Sequence, residues 1–319
     1  MAELSFFGLD LETILPGVVG AAVVSGVAFL LSFFYFEPRR KRRRRAHVLG
    51  FPVSDSDFAP ALIVGTTEPI KTDIYMRPTV GYGSLLAVAY VAQVVGDVSP
   101  DSDRSDKLDV LLAGDDTATR SLSRADEHNV LIGGPTRNSA TTSCLRYLNQ
   151  MVRDGVWTLV PSREFPPSQV GARKQARDGA VTFAEEPSRR VLNVNGFEFA
   201  AEMELAEVSG RPTKLSGTDY GLIVRGAAPN DAGRVVLLAG VHTYGSAGAG
   251  YFLAELAKVR RPLVPSLKRS QIGQDHYTHA LKYLGSKAHK DLVLVVRTKV
   301  DQGLLTSSML VAAWNIVRS

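Results

Sequence analysis

Cysteine is nearly absent from this chain of 319 residues, which has only Cys144. A single thiol excludes an intramolecular disulfide framework and any zinc module with several cysteine ligands. The sequence also lacks G-x-x-x-x-G-K-[ST], G-x-G-x-x-G, G-x-S-x-G and the kinase signatures. Because the common phosphate, dinucleotide and hydrolase motifs are missing, no motif assigns the chain to a family.

Excess charge is confined to one place. Lys and Arg number 37 against 32 Asp and Glu, but residues 39–45 read RRKRRRR. Without that tract, 30 basic residues face 32 acidic ones, so the rest of the chain has no basic footprint and we expect no nucleic-acid partner. A hydrophobic fraction of 45% and a charged fraction of 22% are typical of a globular protein and exclude a disordered or multi-span membrane chain.

Residues 14–36 form an apolar run without any charged side chain. At about 1.5 Å per residue, a helix of this run would be roughly 34 Å long, enough to cross a hydrocarbon core of about 30 Å. A cleaved signal peptide begins with basic residues, whereas the flank here is acidic, with Glu3, Asp10 and Glu12. The sequence therefore predicts a retained transmembrane helix.

The basic tract gives this predicted helix an orientation. Positive charge marks the cytoplasmic side, so we expect a single-pass protein of the cell membrane with its C-terminal part in the cytoplasm. The membrane would be a partner through the helix and the tract, and the small pair Ala22 and Gly26 leaves a homo-oligomer open. The predicted division is an extracytoplasmic segment 1–13, the helix 14–36, a basic juxtamembrane tract and linker 37–60, and a cytoplasmic domain 61–319.

The predicted domain alternates short apolar runs with helical patterns. The runs LDVLLA, NVLI and VVLLAGV are mostly apolar, as strands buried on both faces are. We therefore predict an α/β fold, a Rossmann-like three-layer domain with a mostly parallel sheet. Residues 180–218 depart from this pattern, because Asn195-Gly196 between two β-prone runs is a strong hairpin signal. They are predicted to be a small β-rich insertion.

Two glycine-rich turns are the candidate binding elements. Each follows a predicted strand and opens a helix, where free N–H groups and the positive end of the helix dipole favour a phosphate or carboxylate. If both strands are parallel in one sheet, both turns open on the same edge. The candidate ligand-binding residues are Gly133, Gly134, Arg137 and Asn138 in the first turn, and Gly240, His242, Thr243, Tyr244, Gly245 and Ser246 in the second.

Each of these features also has a structural interpretation. Asn138 is a good helix cap, and the second turn's glycines permit close packing of a helix on a sheet. The segment 77–84 is a third possible wall of the pocket or a surface loop. His276 and His279 lack a third metal ligand, and Cys144 has no histidine neighbour in sequence, so we expect neither a metal site nor a catalytic thiol.

Three functions remain open at this point. The first is binding of an anionic small molecule, a nucleotide or nucleotide derivative, as a sensor or effector. The second is an enzyme that hydrolyses or transfers a glycosidic bond of a nucleoside or nucleotide, using Asp115, Asp116 or Glu255 with His242. The third is a non-catalytic protein-interaction module. The sequence does not identify a cofactor.

Overall fold

The computed structural model describes residues 48–51, 60–71, 76–96, 110–113, 128–170, 181–186, 189–208, 211–227, 233–258, 272–287 and 290–319. All of them belong to one compact unit, residues 45–319. The predicted transmembrane helix at 14–36, the basic tract and the acidic pair Asp115 and Asp116 lie outside the described residues.

The transmembrane prediction receives no support from the structure. Within the described ranges, no helix is both long and apolar enough to cross a bilayer. The described helices are 15 or 16 residues long and pack on a sheet. The predicted combination of a membrane-spanning helix with a Rossmann-like domain is therefore corrected to the mixed α/β fold described next.

The described part contains fourteen strands and four α-helices. The helices are α1 (Tyr82–Gly96), α2 (Ser139–Arg153), α3 (Thr243–Lys258) and α4 (Ile272–Ser286). The strands are β1 (Ala61–Val64), β2 (Thr66–Lys71), β3 (Met76–Val80), β4 (Val110–Leu112), β5 (Asn129–Ile132), β6 (Trp157–Pro161), β7 (Val181–Glu186), β8 (Arg189–Val194), β9 (Phe197–Ala200), β10 (Glu202–Val208), β11 (Arg211–Ala227), β12 (Arg234–Gly240), β13 (Leu292–Asp301) and β14 (Leu304–Arg318).

Nine of these strands form the main sheet, in the order β4-β1-β5-β12-β11-β13-β14-β6, with β10 paired to β11. The pairs β4–β1, β1–β5 and β5–β12 are parallel. The other five pairs, which all involve β11, β13 or β14, are antiparallel. The predicted mostly parallel sheet is therefore wrong, because only one end of the sheet is parallel and the rest is antiparallel.

The error has a physical reason. An apolar run shows that a strand is buried on both faces, but it does not show the direction of the neighbouring strand. β12 is buried along Val235–Ala239 and pairs in parallel with β5 on one side and antiparallel with β11 on the other. The turn between β13 and β14 has positive φ at Gln302 and Gly303, as a two-residue hairpin turn requires.

Alternating side chains of the sheet build one hydrophobic core on each face. On β12, Val236 and Leu238 point to the core formed with α1, α3 and α4. Val235, Leu237 and Ala239 point to the other core, which includes α2 and the small sheet β7-β8-β9. The predicted Asn195-Gly196 hairpin is present in this small sheet, joining β8 to β9 with positive φ at both residues.

Helix α3 lies unusually close to both the sheet and α1. A Cβ added at Gly245 would collide with the carbonyl oxygen of Tyr220 on β11. A Cβ added at Gly83 would likewise collide with the carbonyl oxygen of Thr243, the first residue of α3. Glycine at these positions therefore brings the N-terminal ends of α1 and α3 side by side at one edge of the sheet.

Candidate functional site

The three neighbouring parallel strands β1, β5 and β12 end at the same edge of the sheet. Their register pairs Val64 with Ile132, and Ile132 with Leu238, so β1 and β5 end level with Leu238, two residues before the end of β12. A cavity of about 400 Å³ lies there. Its lining combines the two predicted turns with the starts of α1 and α3 and with β8: Gly65, Gly81, Ser84, Gly134, Thr136, Arg137, Arg190, Gly240, Val241, His242, Thr243 and Ser246.

The structure therefore brings the two predicted turns to one cavity, together with the end of the segment 77–84. Six of the ten predicted residues line the cavity: Gly134, Arg137, Gly240, His242, Thr243 and Ser246. The other four, Gly133, Asn138, Tyr244 and Gly245, lie outside its lining. Whether the lining residues bind a ligand stays a prediction.

Asn138 acts as a structural clamp behind the first turn. Its side-chain oxygen accepts hydrogen bonds from the backbone N–H groups of Ala140 at 3.0 Å and Thr141 at 3.2 Å, which caps α2. Its Nδ2 donates to the carbonyl oxygens of Ile63 and Ile132, both at 3.1 Å. Because the side chain is fully buried and bonded on both ends, it positions the turn and is not directed at a ligand.

Tyr244 and Gly245 serve the packing of α3. The Tyr244 hydroxyl donates to the carbonyl oxygen of Gly303, in the β13–β14 turn, at 3.0 Å. Gly245 provides the close contact between α3 and β11. Gly133, which has a φ of +117°, donates its N–H to the carbonyl oxygen of Leu238 and shapes the turn after β5. The structural interpretation thus accounts for these three residues.

Asp219 is the residue that sequence reasoning missed. Its carboxylate is fully buried in β11 and accepts hydrogen bonds from the backbone N–H groups of Tyr220, His242 and Gly245. Burial raises the pKa of Asp219 to about 6, although the three hydrogen bonds and the charge of Arg190 oppose that rise. The carboxylate therefore holds the second turn in place beneath the cavity. A lone acid shortly before an apolar run carries no sequence signal for this role.

Positive charge reaches the cavity from two separate parts of the fold. Arg137 stands in the turn before α2, and Arg190 comes from β8 in the small sheet, which the sequence did not connect with the site. The N-terminal ends of α1 and α3 add positive helix dipoles, and Ser84 and Ser246 in their first turns add hydroxyl groups. Among the described lining residues there is no Asp or Glu. The arrangement therefore favours an anion.

The other chemical candidates lie elsewhere or have structural roles. Burial raises the pKa of the Cys144 thiol to about 12, so the thiol stays protonated at neutral pH. Nε2 of His276 accepts a hydrogen bond from the backbone N–H of Leu310. Glu255 pairs with Lys258 at 2.9 Å, outside the cavity lining. The described ranges contain no cluster of three side chains that could hold a metal ion.

The identity of a ligand must come from this geometry. Comparisons with protein-family models, with curated proteins and with solved structures find no match for the chain. The cavity combines two guanidinium groups, two helix N-termini, several hydroxyl groups and an imidazole. These groups can hold an anion and orient an attached polar group by hydrogen bonds.

Proposed function

We propose that the protein binds an anionic small molecule, a nucleotide or nucleotide derivative, in this cavity and acts as a sensor or effector. One observation carries the proposal. Arg137, from the turn before α2, and Arg190, from β8, line the same cavity as the first turns of α1 and α3. Guanidinium groups pair with phosphate through two parallel hydrogen bonds, and helix N-termini favour the same charge.

The space available suits a ligand of nucleotide size. A volume of about 400 Å³ falls within the roughly 300–1,000 Å³ usual for small-molecule sites. Gly134 provides the place for a phosphate, because a Cβ added there would meet nothing closer than the carbonyl oxygen of Gly240 at 3.8 Å. His242, Thr243 and Ser246 would orient the uncharged part of the ligand.

Binding is favoured over the glycosidic-bond chemistry that the sequence left open. Such chemistry uses two carboxyl groups on either side of the bond that is cleaved. Among the described residues, Asp219 is the acid beneath the cavity, and its oxygens accept three backbone hydrogen bonds. Glu255 pairs with Lys258 outside the cavity lining. The described geometry thus offers no pair of carboxylates for hydrolysis, while Asp115 and Asp116, the other acids of this hypothesis, lie outside the described residues.

Calorimetric titration tests the proposal. Nucleoside mono-, di- and triphosphates and inorganic phosphate would be titrated into the full chain and into Arg137→Ala and Arg190→Ala. Each substitution should weaken binding by about 1.5–3 kcal/mol, the usual contribution of a hydrogen bond to a charged group. Arg146→Ala is the matched control, because Arg146 is exposed on α2 outside the cavity lining.

Thermal unfolding of the same variants separates binding from folding. Arg137 is exposed, so Arg137→Ala should unfold close to the parent's temperature. Arg190 is also exposed, but its charge acts on Asp219, so a loss of stability in Arg190→Ala is measured apart from its affinity. Parent-like binding by both variants, or no binding of any phosphate compound by the parent, would show that the cavity is not an anion site.

A further inference from the structure

A second concentration of positive charge lies across the main sheet from the first cavity, at the edge formed by the opposite ends of its central strands. Arg234 is the first residue of β12, Asp291 directly precedes β13, and Arg318 is the last residue of β14. They line a cavity of about 680 Å³ together with Val160, Lys287, Lys290, Asn315, Ile316 and Val317. The seven residues of β12 separate this edge from the first cavity by roughly 20 Å.

Among the described residues of this lining, Asp291 is the one acid, and it is outnumbered by cations. Asp291, whose side chain is 8% exposed, accepts hydrogen bonds from Arg234 at 2.9 Å and from Arg318 at 3.1 Å. Lys287 and Lys290 line the same cavity and form no ion pair with any acid that the structure describes. Asp291 therefore pairs with both arginines, whereas the charges of Lys287 and Lys290 have no acidic partner within the described part.

A fifth cation lies directly behind this lining. The guanidinium of Arg225 is fully buried and donates to the carbonyl oxygens of Val48 at 3.1 Å and Lys287 at 3.0 Å. These bonds hold the turn that carries Lys287. Burial, and then the charge of Arg234, lower the pKa of Arg225 to about 10. The charges of Arg225 and Arg234 thus repel each other, although the nearby carboxylate of Asp291 offsets part of that repulsion.

The chemistry of the lining selects the kind of anion. Arg234 and Arg318 present planar groups already fixed by Asp291, whereas Lys287 and Lys290 add compact charges on flexible stems. A singly charged carboxylate would neutralise only one of the two lysines. We propose that this edge is a second anion site, which binds a phosphate-bearing molecule with at least two negative charges independently of the first cavity.

Inorganic pyrophosphate is the probe for a free ligand. Titrated into the full chain by calorimetry, it should bind to the parent, and the double variant Lys287→Gln, Lys290→Gln should weaken one binding event roughly tenfold or more. Lys282→Gln is the matched control, because Lys282 is an exposed lysine of α4 outside this lining. The same titration is repeated with Arg137→Ala in both proteins, so that binding at the first cavity is weakened and the remaining signal reports on this second cavity.

A second arm asks whether the phosphate belongs to a lipid headgroup. Co-sedimentation would be measured with phosphatidylcholine vesicles that contain phosphatidic acid. Loss of vesicle binding in the double variant, with pyrophosphate binding unchanged, would identify a headgroup; loss of pyrophosphate binding would identify a free phosphate compound. Parent-like behaviour of the double variant in both arms, or an equal loss in Lys282→Gln, would overturn the proposal. Failure at the first cavity would leave it intact.

Discussion

Two glycines predicted to contact the same ligand should respond in opposite ways to an added side chain. A Cβ at Gly134 would meet only the carbonyl oxygen of Gly240, at 3.8 Å, and its φ is not positive. A Cβ at Gly245 would collide with the backbone of Tyr220. The first position therefore has room in the cavity for a side chain, whereas the second has none.

The magnitudes follow from these surroundings. Gly134→Ala should leave stability unchanged or raise it by roughly 0.4–1 kcal/mol, because alanine restricts the unfolded chain. Gly134→Val should occupy the place of the phosphate and weaken binding by about 1.5 kcal/mol or more, the contribution of one hydrogen bond to a charged group. Gly245→Ala should destabilise the fold by roughly 1–3 kcal/mol, because the added methyl group overpacks α3 against β11.

Chemical denaturation and calorimetry together check this contrast. Denaturation gives the free energy of unfolding of each variant, and titration with the nucleotide that binds the parent gives its affinity. Parent-like affinity in a folded Gly134→Val protein would refute the placement of the phosphate beside Gly134. Unchanged stability in Gly245→Ala would refute the close approach of α3 to the sheet.

Three further predictions concern two buried polar residues and one half-buried histidine. Asn138→Ala should cost about 2–3 kcal/mol of stability, measured by denaturation, since it removes a helix cap and two bonds to strand carbonyls. Burial raises the pKa of Asp219 to about 6 from 3.8, so the fold favours the protonated acid. This contribution to the free energy of unfolding is present at low pH and is lost as the pH rises from about 4 to 6, and Asp219→Asn should remove that pH dependence. Burial, and then the charge of Arg234, lower the pKa of His128 to about 4 from 6.5, so the fold favours the neutral imidazole. The stability that this residue contributes is lost as the pH falls from about 6.5 to 4, and His128→Phe should remove this loss when thermal unfolding is followed against pH.

Each of these predictions has a clear contradicting result. A stability loss below about 0.5 kcal/mol in Asn138→Ala would show that the clamp between the strands is unimportant. The two titrating groups act in opposite directions across overlapping ranges of pH, so the single variants are measured beside the double variant. A pH profile equal to the parent's in either single variant would refute the shifted pKa of that residue.

Local sequence determined several elements of this protein. Helix α2 begins at Ser139, directly after the cap that the sequence indicated at Asn138, because this cap is formed by residues within three positions of it. The hairpin at Asn195-Gly196 was predictable for the same reason, since both residues tolerate positive φ in a two-residue turn. The glycine turns after β5 and β12 were recognised because a strand, a turn and a helix follow one another directly in the chain.

Tertiary structure alone decided the strand directions and the charges of the cavity. β11 pairs antiparallel with both β12 and β13, and burial on both faces looks the same in either direction. Arg190 lines the cavity from a strand that lies more than fifty residues after Arg137 in the chain. Asp219 holds the turn at His242, which follows it by more than twenty residues. Periodicity and capping report interactions between near neighbours in the chain, whereas these contacts depend on how distant strands pair and pack.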